Sequence, residues 1–133
     1  IKTGDMATVV GIFEDQYEKN KPLSVVKPGT QTRRFTHIND TIKICIYAWR
    51  RNKCIHYSIS HKKSYSIKDL AKMFKTKIVY LNPRLGERYA SALTKISNNR
   101  TIINKYGKID LKDYVTSFIK GKNYENKKLI KVN

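Results

Sequence analysis

Two arginines and a glutamate are the residues of this chain best suited to chemistry with a ligand. Arg33 lies in Pro22-Leu23-Ser24-Val25-Val26-Lys27-Pro28-Gly29-Thr30-Gln31-Thr32-Arg33-Arg34-Phe35-Thr36-His37-Ile38-Asn39-Asp40, which reads as a short apolar strand, a Pro-Gly turn, a second strand and a helix start. Arg84 lies in the loop Asn82-Pro83-Arg84-Leu85-Gly86-Glu87. A planar guanidinium grips phosphate oxygens through paired N–H donors, which the point charge of a lysine does not do. The Glu87 carboxylate can accept hydrogen bonds from hydroxyl groups or orient Arg84, and it is equally readable as a solvent-facing glutamate. Taken alone, either arginine reads as a solvated surface cation.

Candidates for covalent or acid–base work are weaker. His37 stands at a strand end, where a histidine is more often structural than catalytic. Ser66 opens a helix and has no histidine and acid to activate it, so it reads as a cap and not as a nucleophile. Cys45 and Cys54 fit neither a metal-ligand spacing nor a disulfide-dense scaffold, and they suit a reducing cytoplasm. No catalytic and no metal-binding residue is assigned.

The elements that must position the arginines follow from periodicity. Met6, Val9, Val10, Phe13 and Tyr17 recur at helical spacing after Asp5, a competent N-cap, and the helix is expected to end at Asn20. Leu23 to Val26 is a strand, Lys27-Pro28-Gly29 a turn, and Arg33 to Ile38 a second strand. Asn39 or Asp40 caps a helix whose apolar face is Ile42, Cys45, Ile46 and Trp49, closed by Arg50 and Arg51 at its negative dipole end. Ile55 to Ile59 reads as a strand. Ser66-Ile67-Lys68-Asp69 is a capping box opening a helix that buries Ile67, Leu70, Ala71 and Phe74. Lys77 to Leu81 is the next strand, Ile96 to Tyr106 a helix, and Asp110 caps a last helix burying Leu111, Tyr114, Val115 and Phe118. This alternation implies an α/β or α+β layer arrangement.

The 133 residues make one domain, residues 1–120, followed by a basic polar tail, residues 121–133. No apolar run approaches the roughly 20 residues that cross a bilayer, so no membrane partner is expected. Ile1-Lys2-Thr3-Gly4 carries neither an initiator Met nor a signal segment, so the expectation is a chain that begins mid-gene or was cut from something longer. A net charge of +18 ordinarily points to a polyanion. Here 21 Lys stand against 7 Arg, beside 16 Ile and 10 Asn, the bias of an A- and T-rich coding sequence, and the cations scatter instead of forming a stripe. Nucleic acid is therefore not the expected partner.

The segment Pro22 to Asp40 resembles the "PLxVxGxGxQxRDFxHVDD" stretch of the NAD-dependent nucleotide-sugar epimerases and dehydratases, the extended branch of the short-chain dehydrogenase/reductase superfamily. Asp5-Met6-Ala7-Thr8-Val9-Val10-Gly11-Ile12-Phe13 is similar to the family helix preceding the nucleotide-contacting strand. His56 to Ile67 resembles "VYNIGTGKSYSL", and Ile78 to Glu87 resembles "VxxxxxRxGE". The resemblance runs from Gly4 to Ile119. It implies the C-terminal, substrate-binding part of such an enzyme, with the N-terminal Rossmann part largely absent.

What the resemblance implies about the site is specific. Arg33 and Arg84 bracket the substrate diphosphate, Glu87 meets ribose hydroxyls or Arg84, and the strand end Val25, Val26 and Lys27 meets the nucleobase partly through backbone groups. The implied substrate is a nucleotide-diphosphate-sugar, UDP-sugar foremost, and the implied parent is most like UDP-glucose 4-epimerase. NAD belongs to the complete enzyme and is not expected on this chain alone. The scattered glycines make no fingerprint, and Tyr124 and Lys128, at the spacing of the family's Tyr-x-x-x-Lys pair, lie in the polar tail as a coincidence. The chain is expected to bind substrate without turning it over and to partner the Rossmann portion of the same protein; the resemblance implies a homodimer for the full enzyme, through helices of the cofactor domain, and leaves the oligomeric state of this chain open. An isolated lobe is also expected to expose apolar surface, on Trp49 or Ile44. Departures from the pattern are Arg34 for the usual Asp, and Ser58, Ser60 and Lys62 for Asn, Gly and Gly. The rival reading is a non-catalytic, truncated binding protein for nucleotide-sugars or other polyanions.

Overall fold

The structure, a computed structural model, describes residues 8–51, 59–83 and 105–121. The order is α1 (Val9–Glu18), β1 (Leu23–Val26), β2 (Thr32–Arg33), α2 (Ile38–Arg51), β3 (Tyr65–Ser66), α3 (Ile67–Met73), β4 (Ile78–Leu81) and α4 (Leu111–Ile119). The α/β expectation holds. β1 and β4 form a parallel pair in the register Leu23↔Ile78 to Val26↔Leu81. β2 and β3 form an antiparallel pair, Thr32↔Ser66 and Arg33↔Tyr65.

Alternation along β1 turns Leu23 and Val25 into the core, where they are wholly buried. Ser24, facing the other way, is clamped by Gln16 of α1, whose Nε2 donates to Ser24 Oγ at 2.7 Å and whose Oε1 accepts from Ser24 N at 3.0 Å. Helical spacing on α3 brings Ile67, Leu70, Ala71 and Phe74 together against Phe13, Leu111 and Val115, as the sequence predicts. The turn after β1 needs its glycine. Gly29 has φ +68°, and a Cβ there would stand 2.7 Å from Val25 Cγ1, so both backbone angle and space require the bare residue. Its carbonyl accepts from Lys68 N at 2.9 Å, tying the turn to α3.

The capping box of α3 is present, with Ser66 Oγ accepting from Asp69 N at 3.0 Å. Asp110 caps α4 by accepting from Lys112 N at 3.0 Å. Thr8, and not Asp5, caps α1 through Gly11 N at 3.2 Å; Asp5 itself lies outside the described residues.

Other expectations fail. The second strand is only Thr32–Arg33, because just two residues find a partner in β3, and residues 34–37 run on as irregular chain with Thr36 Oγ1 accepting from His61 N at 2.8 Å. The start of α2 is capped by His37. Its carbonyl accepts from Asp40 N and Thr41 N, both at 3.0 Å, and its Nδ1 accepts from Asn39 N at 3.2 Å. Asp40 is buried instead, and its carboxylate accepts from Ile109 N at 2.9 Å.

The buried face of α2 also differs from the reading of its periodicity. Asp40 and Ile44 point inward, while Ile42, Cys45 and Trp49 are exposed, Trp49 to 79% and Ile38, at the start of the helix, to 62%. Trp49 thus bears out the expected uncovered apolar surface, and Ile44 does not. The Ile55–Ile59 strand falls outside the described residues except for Ile59, which is not in a strand, and the Ile96–Tyr106 helix falls outside them up to residue 104. Cys54 and residues 122–133 of the tail lie outside as well. No helix of the described residues is long and apolar enough to cross a membrane.

Candidate functional site

A cleft of about 930 Å³ opens between α1, the segment 33–39 and the start of α4. Its walls follow from local structure. Thr8, Val9 and Val10 lie at the N-terminus of α1, Arg33 and Phe35 come from β2 and its continuation, and Leu111 and Phe118 lie on α4. Polar groups converge among these apolar ones, the usual composition of a ligand site. Glu14, His37 and Tyr114 line it beside Arg33.

Arg33 is held partly by its own strand, since its Nη1 donates to Thr32 O at 2.9 Å. Pairing of Arg33 with Tyr65 in the sheet fixes the backbone from which the guanidinium projects. Tyr65 in turn is locked to the cleft wall, because its Oη donates to Asp110 Oδ1 at 2.7 Å and Lys63 Nζ lies 2.9 Å from Asp110 Oδ2. Burial, the hydrogen bond to Asp110 and the charges of Asp110 and Asp113 push the Tyr65 phenol up from 10.0 to about 12. For Asp110, burial acts upward, yet hydrogen bonds from Tyr65, Lys63 and Lys112 N together hold the carboxyl below its usual range.

The signs give a pH dependence. Folded Tyr65 keeps its proton more tightly than the unfolded chain, so its contribution is complete below pH 10.0 and is lost as pH rises toward about 12. The Asp110 contribution is present above the ordinary carboxylate range and is lost as pH falls through its lowered value. Asp110→Asn is expected to return the Tyr65 titration part of the way to its ordinary value, read by NMR of ring-labelled tyrosine. An unmoved Tyr65 titration would show that burial and the Asp113 charge set it without Asp110.

Of the residues singled out from the sequence, Arg33 lines the cleft. Val25 is fully buried in the core and pairs with Tyr80 in the β1–β4 ladder, so its side chain is not available to a ligand. Val26 is half-buried, and Lys27 is exposed with its N–H donating to Leu81 O at 3.0 Å. Neither is among the described residues of the cleft wall. Arg84 and Glu87 lie outside the described residues. Glu14 and Tyr114 were not anticipated as site residues. Their signal was weak: Glu14 sits next to core Phe13, and Tyr114 between Leu111 and Val115, on faces that periodicity assigns to packing.

The arrangement can bind an anion at Arg33 and hydroxyl groups at the carboxylates. Among the described residues no group of three or more His, Cys, Asp and Glu could hold a metal.

No family model matches the chain, and no curated protein matches it by sequence. Solved structures do match. UDP-glucuronic acid 4-epimerase from Bacillus cereus, in complex with UDP-glucuronic acid and NAD, superposes with a TM-score of 0.69 at 26% identity, covering 86% of this chain and 40% of that one. UDP-glucose 4-epimerase from Thermotoga maritima, with UDP-glucose, gives 0.72 at 18% identity over 86% of this chain and 38% of its own. An NAD-dependent NDP-hexosamine 5,6-dehydratase involved in tunicamycin biosynthesis gives 0.61 at 17% identity over 86% and 39%. The latter two are likenesses of fold. The chain has the fold of the C-terminal portion of the NAD-dependent nucleotide-sugar epimerases and dehydratases. It spans about 40% of the length of the B. cereus epimerase.

Proposed function

We propose that this chain is the nucleotide-sugar-binding region of an NAD-dependent sugar epimerase, most like UDP-glucose 4-epimerase. The observation that carries this is the position of Arg33: the arginine picked out by its sequence context lines a cleft in a fold whose solved counterparts hold UDP-sugars. In this reading Arg33 and Arg84 grip the two phosphates, Glu87 meets the ribose or orients Arg84, and the backbone at the end of β1, Val25 to Lys27, meets the base.

The complete enzyme, a cytoplasmic homodimer in this proposal, holds NAD on a Rossmann portion, and NAD there supplies the oxidation and return of hydride at the sugar. This chain's own part is to bind and orient. In this reading the chain alone binds without turnover, because the oxidation needs the NAD held by the complete enzyme. The exposed stripe Ile38, Ile42 and Trp49 of α2 is apolar surface suited to that Rossmann portion. The experiment is a calorimetric titration of the chain with UDP-glucose and UDP, with duplex DNA as the control for a general polyanion binder.

A further inference from the structure

Glu14 is the group the cleft explains least well as packing. It is a carboxylate only 6% exposed, and burying a charge without hydrogen-bond donors is costly. One donor is present: Tyr114 Oη, 100 residues away in sequence, donates to Glu14 Oε1 at 2.6 Å. Among the described residues no donor reaches Oε2. An ionised carboxylate has about four lone-pair sites, so Glu14 retains acceptor capacity in a cleft that it lines.

Tyr114 is itself fixed. Its ring lies 5.6 Å from that of His37 at an interplanar angle of 57°, and His37 is fixed by capping α2. The couple is therefore preorganised by two helices, α1 and α4, and by the start of a third. Glu18 and Asp110 also line the cleft, so its acidic side repels an anion and favours a donor. Arg33 in the same cleft does the reverse. The two kinds of group together ask for a ligand with an anionic part and a part rich in hydroxyl donors and C–H faces.

We infer that Glu14 and Tyr114 form a hydroxyl-reading subsite that recognises the distal sugar ring of the ligand while Arg33 holds its phosphate. This rests on the nucleotide-sugar reading and adds to it the residues that select the sugar. The Glu14 carboxylate accepts from ring hydroxyls, and the Tyr114 hydroxyl, donating to Glu14, holds that carboxylate in position.

The test compares UDP with UDP-glucose by calorimetry on the full chain, for the native protein, Glu14→Gln and Tyr114→Phe. Glu14→Gln is the informative variant for folding, because a glutamine Oε1 still accepts from Tyr114. The expected result is UDP-glucose affinity lowered about tenfold in each variant, the size of one lost hydrogen bond to a charged group, with UDP affinity within about twofold of native. If UDP binds the native chain and the folded Glu14→Gln variant loses affinity for both ligands equally, or for neither, the subsite is overturned and the nucleotide-sugar reading stands. If the native chain binds neither ligand, both are overturned.

Discussion

Replacing Arg33 by alanine lowers the affinity of the chain for UDP-glucose by about 10- to 100-fold, the effect of losing charge-assisted hydrogen bonds worth about 1.5–3 kcal/mol. The reasoning starts from geometry: Arg33 is fixed by the β2–β3 pair and by its own contact with Thr32 O, so its guanidinium is preorganised in the cleft wall. Lysine in its place keeps the charge but not the two-pronged grip, and Arg33→Lys should fall between native and alanine. Lys19→Ala removes an equal charge from a surface pair with Asp15 and should leave binding unchanged. A general polyanion binder behaves differently. It would lose as much from Lys19→Ala as from Arg33→Ala and would weaken steeply with salt. Native-like affinity in Arg33→Ala would remove the phosphate role from this residue.

Phe74→Ala is the substitution expected to cost most in stability. Phe74 is 1% exposed, at the centre of a ring cluster with Phe13 at 6.1 Å, Tyr17 at 5.8 Å and Phe118 at 6.1 Å between centroids. It ties α1 and α4 to the end of α3, so removing it empties the junction of three helices. Loss of a buried phenylalanine costs about 3–5 kcal/mol, against a total of about 5–15 kcal/mol for a domain. Urea unfolding should show a large drop in midpoint with little change in slope. Trp49→Ala, at an exposed position, should stay within about 0.5 kcal/mol of native. A loss below about 1 kcal/mol for Phe74→Ala would mean that the cluster does not hold the helices together.

The elements legible in the sequence are those whose signals are local. The capping box at Ser66 and Asp69, the Asp110 cap and the Gly29 turn each act within four residues, and each is found where its residues predict. α2 shows the limit of that reading. Its periodicity announces an amphipathic helix, but which stripe is covered depends on what packs there, and the loop at Ile109 recruits Asp40 while Ile42 and Trp49 stay outside. Register depends on partners in the same way, which is why β2 stops after Arg33. Arg33, which lines the cleft, was legible as a candidate because its whole neighbourhood carries the pattern. Glu14 and Tyr114 were not, since a hydrogen bond spanning 100 residues leaves no mark in either local sequence.

Titration of the native chain with UDP-glucose is the most direct measurement of the central claim. The account predicts saturable binding at one site per chain, competition by UDP and a shallow dependence on salt. No saturable binding of UDP-glucose, together with tight, steeply salt-dependent binding to DNA of any sequence, would contradict it.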